Sequence, residues 1–413
     1  MIILYYKNNN MVNIILMNIV IIGVGYVGLV SGLAFAKTDN NVQFLDVDVS
    51  KIDDLKKKKA PFFEPLLEEY LNDEKINQSV SFHSEYDDVD WDTAEIIMVC
   101  VQTPTTLENE IDSSFLNNVF KSLSDLINHQ SIICIKSTIH PEAIQEILNN
   151  SGLNDEDIVF NPEFLREGQA FNDFFNPDRV IIGAVNKRNA ERVAELYKNL
   201  DTDLILTDPI SSQLIKYLSN AYLPLRLSFV NEASQIIKKL GGNLSQTLLG
   251  IGLDSRIGNN YFRPSPGWGG SCFPKDVTEI NSIIKANNLT TPLISNINES
   301  NKQHQNWFSN YLIKQIQEKN LDSICLVGLA FKEDTDDTRY SPTISIYENL
   351  KLHKKNVYIY DFSNTEDDSF DIRQSFAENS LIVEMYPLSD ENQTKITKEI
   401  NKLKNYDYLK FWE

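Results

Sequence analysis

Cys272 stands in the segment PSPGWGGSCFPKD, residues 264–276, with Lys275 and Asp276 directly behind it. Three glycines and three prolines among thirteen residues exclude a helix or a central strand, so the segment reads as a shaped loop. A loop thiol beside a cation that stabilises thiolate and a carboxylate that handles protons has the composition of a nucleophilic site. The alternative is a small buried hydrophobe. That alternative fits Cys100, Cys134 and Cys325, each inside an apolar, strand-like run. The four cysteines form no CxxC pair and the five histidines no HxH or HxxxH pair, so neither a disulfide frame nor a metal site is expected.

Two further groups of residues carry chemistry. Lys216 and Asn220, four apart in an apolar helical stretch, share one face. A buried ammonium at 216 needs an anionic partner, whereas a snorkelling lysine at the helix edge does not. Residues 161–168, NPEFLREG, follow the apolar run DIVF and place Glu163 and Glu167 beyond the carboxyl end of a strand, where open parallel sheets bind ligands. Both are candidates for proton transfer, or else are solvated or paired with Arg166.

Gly23-Val24-Gly25-Tyr26-Val27-Gly28 fits GxGxxG, follows a β-branched strand and opens a helical stretch. Gly23 permits the tight turn, Gly25 lets amides approach a pyrophosphate, and Gly28 allows close helix–sheet contact. The helix N-terminus supplies unpaired N–H groups to the anion. Asp46, eighteen residues past Gly28, is placed to accept from a ribose and to repel a 2′-phosphate, which favours NAD over NADP.

The elements that must position these residues follow from the apolar pattern. Strands are expected at 18–23, 42–46, 95–101, 131–136, 157–160 and 179–184, as short apolar runs suited to a parallel sheet covered on both faces. Helical crossovers between them make a doubly wound α/β domain. From about 208 to 240, Leu214, Leu218, Ala221, Leu225, Phe229, Ala233 and Ile236 describe a long amphipathic helix, kinked at Pro224 and stopped by Gly241 and Gly242. Such a helix joins domains, builds a dimer interface or lies in a core. A mostly helical region continues to about 321. A second, smaller α/β domain then repeats the order of the first, with SICLVG at 323–328 and NVYIYD at 356–361, but without a second GxGxxG.

Composition sets outer bounds. With 413 residues, a 42% hydrophobic and 23% charged share, the chain is globular and long enough for two or three domains. A net charge of −20 opposes binding to nucleic acid, so any phosphate ligand must meet a local cluster of Lys and Arg. The apolar stretch 11–30 contains Asn13, Asn18 and three glycines and reads as globular structure rather than a membrane span. Residues 1–16 read as an extension, and the free thiols point to a reducing cytoplasm.

The motifs GVGYVG, FLDVD, VQTPT, KST, NPEFLREG, KYLSNAYL, GWGGSCFPKD and GLAFKEDTDDTRYSP, in this order over about 17–362, resemble the nucleotide-sugar dehydrogenase family. The resemblance implies an NAD-binding Rossmann-like domain (17–207), a central helical dimerisation region carrying the cysteine loop (208–320) and a C-terminal UDP-binding domain (321–413). It implies a four-electron oxidation of UDP-glucose to UDP-glucuronate using two NAD and water. By the same resemblance, Lys216 and Asp276 assist proton removal at the sugar C6, and Cys272 forms a thiohemiacetal and then a thioester. Glu163 and Thr138 serve its hydrolysis, and Asn220 hydrogen-bonds the sugar or its oxyanion. The implied cofactor contacts are the GVGYVG residues Gly23, Gly25, Tyr26, Val27 and Gly28, with Asp46, Lys51, Thr103, Thr138, Glu167, Lys275 and Arg339. The implied substrate contacts are Glu163, Phe164, Leu165, Lys216, Asn220, Arg256, Tyr261, Gly269 and Lys332. The chain departs from the family pattern after KST, where Ile139-His140-Pro141-Glu142 stands, and near 381–387, which lacks an asparagine–arginine pair.

The expectation is thus a cytoplasmic, homodimeric NAD enzyme acting on a UDP-sugar, without metal, nucleic acid or membrane as partner. A UDP-N-acetylhexosamine substrate, a single-step hydroxyacid dehydrogenase and a catalytically silent nucleotide-binding protein are the alternatives. The scarcity of histidine argues against the histidine-based hydroxyacid enzymes.

Overall fold

The structure, a computed structural model, describes residues 16–102, 114–124, 126–127, 131–333, 335–353, 355–362 and 369–413. The extension expected at 1–16, apart from Leu16, and the expected cofactor contact Thr103 lie outside the described residues. The chain divides into two compact units, Met1–Leu218 and Ser219–Glu413.

In the first unit the described residues form one sheet from β1 (Asn18–Ile22), β2 (Asn41–Leu45), β3 (Val80–His83), β4 (Ile96–Val99), β5 (Ile132–Ile135), β6 (Ile158–Phe160), β7 (Arg179–Ala184) and β8 (Asp203–Thr207). Their spatial order is β3-β2-β1-β4-β5-β6-β7-β8. Side chains alternate across a strand, so Ile19 and Ile21 enter one apolar layer with Leu33 and Phe35, while Val20 and Ile22 enter another with Leu116 and Phe120. Both faces are covered, which is why the central strands read as unbroken apolar runs.

Three expectations need correction here. β3 and β8 were not anticipated: they are the sheet's two edges, only partly buried, and lack the continuous apolar signal. The sheet is not wholly parallel, because β6 and β7 pair antiparallel through Val159–Ala184 and Phe160–Gly183. Each central strand except β7 is also shorter at one or both ends than its apolar run.

The long helix Pro209–Leu240 runs through Pro224. Its C-terminus closes with Gly241 and Gly242, whose amides donate back to the Lys238 and Ile237 carbonyls. The apolar stripe read from the sequence is not its buried face. Leu218, Phe229 and Ile236 are 45%, 57% and 61% exposed, whereas Gln213, Lys216, Asn220, Ser228, Asn231 and Ser234 are buried. A purely core role for this helix is therefore excluded, because a core helix hides its large apolar side chains.

In the second unit, helices Leu244–Gly252, Phe273–Ala286, Pro292–Ser295 and Ile297–Glu318 precede a second sheet. It is built from β9 (Ser323–Val327), β10 (Val357–Tyr360), β11 (Ile372–Arg373), β12 (Ser380–Glu384) and β13 (Tyr406–Lys410), all parallel, in the order β11-β10-β9-β12-β13. This order matches the β3-β2-β1-β4-β5 half of the first sheet, so the two α/β units share a topology. Among the described residues no helix is long and apolar enough to cross a membrane.

Candidate active site

The glycine turn is built as its spacing requires. Gly23 has φ +93°, and a Cβ there would lie 2.8 Å from the Cys100 carbonyl oxygen; a Cβ on Gly28 would lie 2.0 Å from the Gly23 carbonyl oxygen. Both positions therefore demand glycine. A Cβ on Gly25 would meet nothing within 4 Å. Gly25 is also the N-cap of the helix Tyr26–Lys37 and offers no side-chain cap. An uncapped helix N-terminus with open space beside Gly25 is an arrangement that fits a pyrophosphate.

Asp46, at the end of β2, accepts from the Val24 amide at 2.7 Å and from Lys51 Nζ at 2.9 Å through Oδ2, and from the Asp48 amide at 3.0 Å through Oδ1. It braces the turn as well as standing where a ribose would be read. Lys51 is thus brought to Asp46, as a neutralising partner. The second unit repeats the brace. The Leu329 amide donates to Asp361 at 2.7 Å, and the Gly328 amide donates to the Tyr360 carbonyl as Gly23 does to that of Leu45. There, however, the Tyr386 ring lies within 2.5 Å of where a Gly328 Cβ would be.

Glu163 follows β6, and the long helix brings Lys216 to it. Lys216 Nζ donates to the Glu163 carboxylate at 2.9 Å and to its carbonyl at 2.6 Å, with the two side chains 4% and 10% exposed. Lysine 216 therefore has the anionic partner that burial demands and is not a snorkelling residue. Burial alone would raise the Glu163 carboxyl. The Lys216 ammonium, the Leu165 amide at 2.6 Å and the more distant charge of Lys136 hold it below its ordinary value. Two cations stand over the Phe164 ring, Arg179 3.8 Å and Lys216 5.2 Å from its centroid. Arg166 pairs with Asp173. Thr138 follows β5, half-buried; its neighbour Ile139 donates its amide to Gln213 at 3.0 Å.

In the second unit, of the chain's four thiols only Cys272 is exposed. Burial pushes the Cys100 and Cys134 thiols up to about 12, and Cys325 is raised likewise. Cys272 is the N-cap of the helix Phe273–Ala286. Helix was excluded for the whole segment 264–276, yet it begins at Phe273, because Pro274 falls in the first turn, where its missing N–H is no loss. The helix terminus favours an anion at the sulfur. Asp276, one turn on, accepts from Asn220 Nδ2 at 2.6 Å, both side chains buried. Lys275 reaches the buried Glu279 at 3.9 Å.

The cysteine loop is held by polar side chains of two helices. Asn231 accepts from the Ser265 amide at 2.8 Å, and Asn301 bonds the Trp268 amide and carbonyl at 3.1 and 2.9 Å. The Trp268 indole donates to Ser228 at 3.0 Å. His304 stands 2.8 Å from the Ser265 carbonyl through Nε2 and 2.9 Å from Gln235 Nε2 through Nδ1. The carbonyl can only accept, so Nε2 carries the proton. Burial lowers the imidazole to about 4. These polar residues explain why the long helix buries its polar face.

Among the remaining expected residues, Gly269 is required by close approach, since a Cβ would lie 2.1 Å from the Tyr340 carbonyl oxygen. The Gly270 amide donates to the Arg339 carbonyl at 3.0 Å, while the Arg339 side chain forks onto Asp337. Tyr261 has φ +52° and its ring lies 6.5 Å from that of Phe273. Lys332 stands 5.5 Å from the Phe331 ring centroid. Arg256 is 87% exposed and forks onto Asp254 at the surface. Within the first unit the structure thus brings together Glu163, Phe164, Leu165 and Lys216, and separately the glycine turn with Asp46 and Lys51. Within the second it brings together Asn220, Asp276 and Cys272.

Sequence reasoning missed Lys136, Glu64 and the loop-holding Asn231, Asn301 and His304. Lys136 is buried, with Nζ 3.1 Å from Asn161 Oδ1 and 3.4 Å from the Tyr197 hydroxyl. The signal for Lys136 was its position directly after an apolar strand, where a charge is costly unless bonded.

Comparison with known proteins bears on all of this. Residues 17–201 match the NAD binding domain of the UDP-glucose/GDP-mannose dehydrogenase family, 210–303 its central domain and 325–402 its UDP binding domain. The chain is similar to a UDP-glucose 6-dehydrogenase of Rickettsia felis, 35% identical over 96% of this chain and 90% of that one. It is also similar to UDP-glucose 6-dehydrogenase TuaD of Bacillus subtilis, 34% identical over 83% of this chain and 75% of that one. Among solved structures, a UDP-glucose dehydrogenase from Pyrobaculum islandicum superposes with TM-score 0.82 at 26% identity, covering 96% of this chain and 99% of that one. A UDP-D-ManNAc dehydrogenase of Pyrococcus horikoshii shares the fold at 22% identity, with TM-score 0.80 over 94% of each chain.

Proposed function

The chain belongs to the UDP-glucose/GDP-mannose dehydrogenase family, and from that premise we propose that it oxidises UDP-glucose to UDP-glucuronate with NAD and water. It is an NAD-dependent oxidoreductase with a UDP-sugar substrate. The open cradle at Gly25 and the braced Asp46 fit the dinucleotide. NAD, when bound, accepts the C6 hydride in each of the two oxidations.

The chain's own residues take the following roles. Cys272 is the nucleophile: its thiolate adds to the C6 aldehyde, turning a poor hydride donor into an sp³ carbon bearing O⁻, and the second oxidation leaves a thioester. Glu163 is the base that activates water for thioester hydrolysis, with Thr138 positioning that water, and sulfur leaves as the carboxylate forms. Lys216 holds Glu163 ionised and, with Asp276, assists removal of the C6 hydroxyl proton. Asn220 donates to the sugar oxygen that carries developing charge. Lys332 and Arg256 serve the UDP-sugar. The observation that carries this reading is Cys272, the exposed thiol at the head of a helix, in a loop fixed by Asn231, Asn301 and His304.

We assign residues 17–207, 208–320 and 321–413 to cofactor, central and UDP-binding regions. We also propose a homodimer. Leu218, Tyr222, Phe229, Ile236 and Leu240 are exposed at helical spacing along Pro209–Leu240, an apolar stripe of the kind a second copy covers. Sedimentation should give a dimer, and Phe229→Asp should yield monomer; a wild-type monomer would refute the assignment. We also propose a cytoplasmic location, because a catalytic thiol must stay reduced.

The test is an NADH-release assay over UDP-glucose, UDP-galactose, UDP-N-acetylglucosamine and UDP-N-acetylmannosamine. Two NADH per UDP-glucose is the expected result. One NADH per sugar would sink the two-step scheme, and preference for an acetamido sugar would reassign the substrate.

A further inference from the structure

Glu64 lies in PFFEPLLEE, outside every motif that the function absorbs, yet it is only 5% exposed. Its Oε2 accepts from the Tyr26 hydroxyl at 2.9 Å and from the Gly168 amide at 2.7 Å, and its Oε1 accepts from the Ala170 amide at 2.8 Å. Tyr26 belongs to the GVGYVG turn, whereas Gly168 ends NPEFLREG and Ala170 begins the helix after it. One carboxylate therefore ties two segments more than 100 residues apart.

We propose that Glu64 is a positioning residue that fastens the dinucleotide turn to the loop carrying Glu163 and Glu167, so that NAD affinity and the order of that loop depend on one carboxylate. A residue that only stabilised the 170–175 helix would need the two amides and no more. The third donor, Tyr26, comes from the turn itself. A buried carboxylate with three donors is satisfied, and bonds to a charged acceptor are the strong ones. Burial and then the charge and hydrogen bond of Glu64 raise the Tyr26 phenol, with Glu167 and Glu163 adding to the effect. Tyr26 thus stays a donor at working pH and feels both carboxylates of the loop. The idea rests on NAD being bound at the glycine turn.

The experiment is a double-mutant cycle on NAD affinity, by calorimetry, with Tyr26→Phe, Glu64→Gln and the double variant, alongside the KM for UDP-glucose. Each single change should weaken NAD about tenfold, as loss of a hydrogen bond to a charged acceptor does. The double should be no weaker than the worse single, because both break one tie. Glu64→Gln should also raise the KM for UDP-glucose. Unchanged NAD affinity in Tyr26→Phe, or effects that multiply, would overturn the proposal while leaving the cofactor reading intact. Absence of NAD binding by the wild type would overturn both. Tyr26→Phe removes a single oxygen, so unchanged NAD affinity in it overturns the proposal even where Glu64→Gln does not fold.

Discussion

Replacing Lys216 by methionine keeps the volume of the side chain and removes its charge. It leaves Glu163 with a 10% exposed side chain, no ammonium at 2.9 Å and no donor at 2.6 Å on its carbonyl. Breaking one side of a buried ion pair costs about 3–5 kcal/mol, mostly from the stranded charge. Neutralising the other side as well, in Lys216→Met with Glu163→Gln, should return all but about 1–2 kcal/mol, the worth of the lost hydrogen bonds. The pH dependence follows with a definite sign. In the wild type the Glu163 carboxyl is held below its ordinary value, so its stabilisation is present above the unfolded value of about 4.3 and is lost as pH falls through the depressed one. In Lys216→Met, burial is left as the main influence and raises the carboxyl. The penalty should then be largest at neutral pH and shrink on acidification, as Glu163 takes up a proton. Urea unfolding of the three proteins at pH 7.5 and pH 5 measures this. A single variant no less stable than the double, or a penalty indifferent to pH, would refute the view that Lys216 keeps Glu163 ionised.

Other consequences are as direct. Cys272→Ser should retain NAD and UDP-glucose binding but lose NADH production by orders of magnitude; wild-type turnover would contradict covalent catalysis. Asp46→Ala should weaken NAD more than UDP-glucose, since Asp46 braces the Val24 amide and pairs Lys51; equal weakening of both would count against it. His304, lowered to about 4 by burial, is neutral in the fold but titrates near 6.5 when unfolded. The unfolded chain binds more protons between those values, so stability should fall by roughly 3 kcal/mol as pH drops through that window. Unfolding free energies of wild type and His304→Gln should differ in slope there; identical slopes would exclude a neutral, loop-holding histidine.

The central strands were legible because both their faces are buried, and a run such as NIVII has no other good reading. The edge strands β3 and β8 were not, since a half-covered strand keeps polar residues. The long helix was legible as a helix but misread as to its face. Periodicity reports that apolar residues share a side, and does not say whether that side meets the fold or solvent. Loop composition singled out Cys272 as a candidate, and spacing singled out the glycine turn. The Arg166 pair with Asp173, seven residues on, was not foreseen, because nearby glutamates offered equally plausible partners. Glu64 gave no signal, because its donors at 26, 168 and 170 bear no regular spacing to it.

Local rules were enough for this chain to announce its two α/β halves, its glycine turn and its cysteine loop. Glycine angles, strand burial and helix starts are properties of a few neighbouring residues, so they are written in short stretches of sequence. Partnership was decided only on folding. Which acid meets Lys216, which side of the long helix is hidden and which carboxylate holds Tyr26 depend on contacts between distant segments. Buried charges and donors accept only arrangements in which every one finds its complement, and that condition is met by the whole chain rather than by any motif within it.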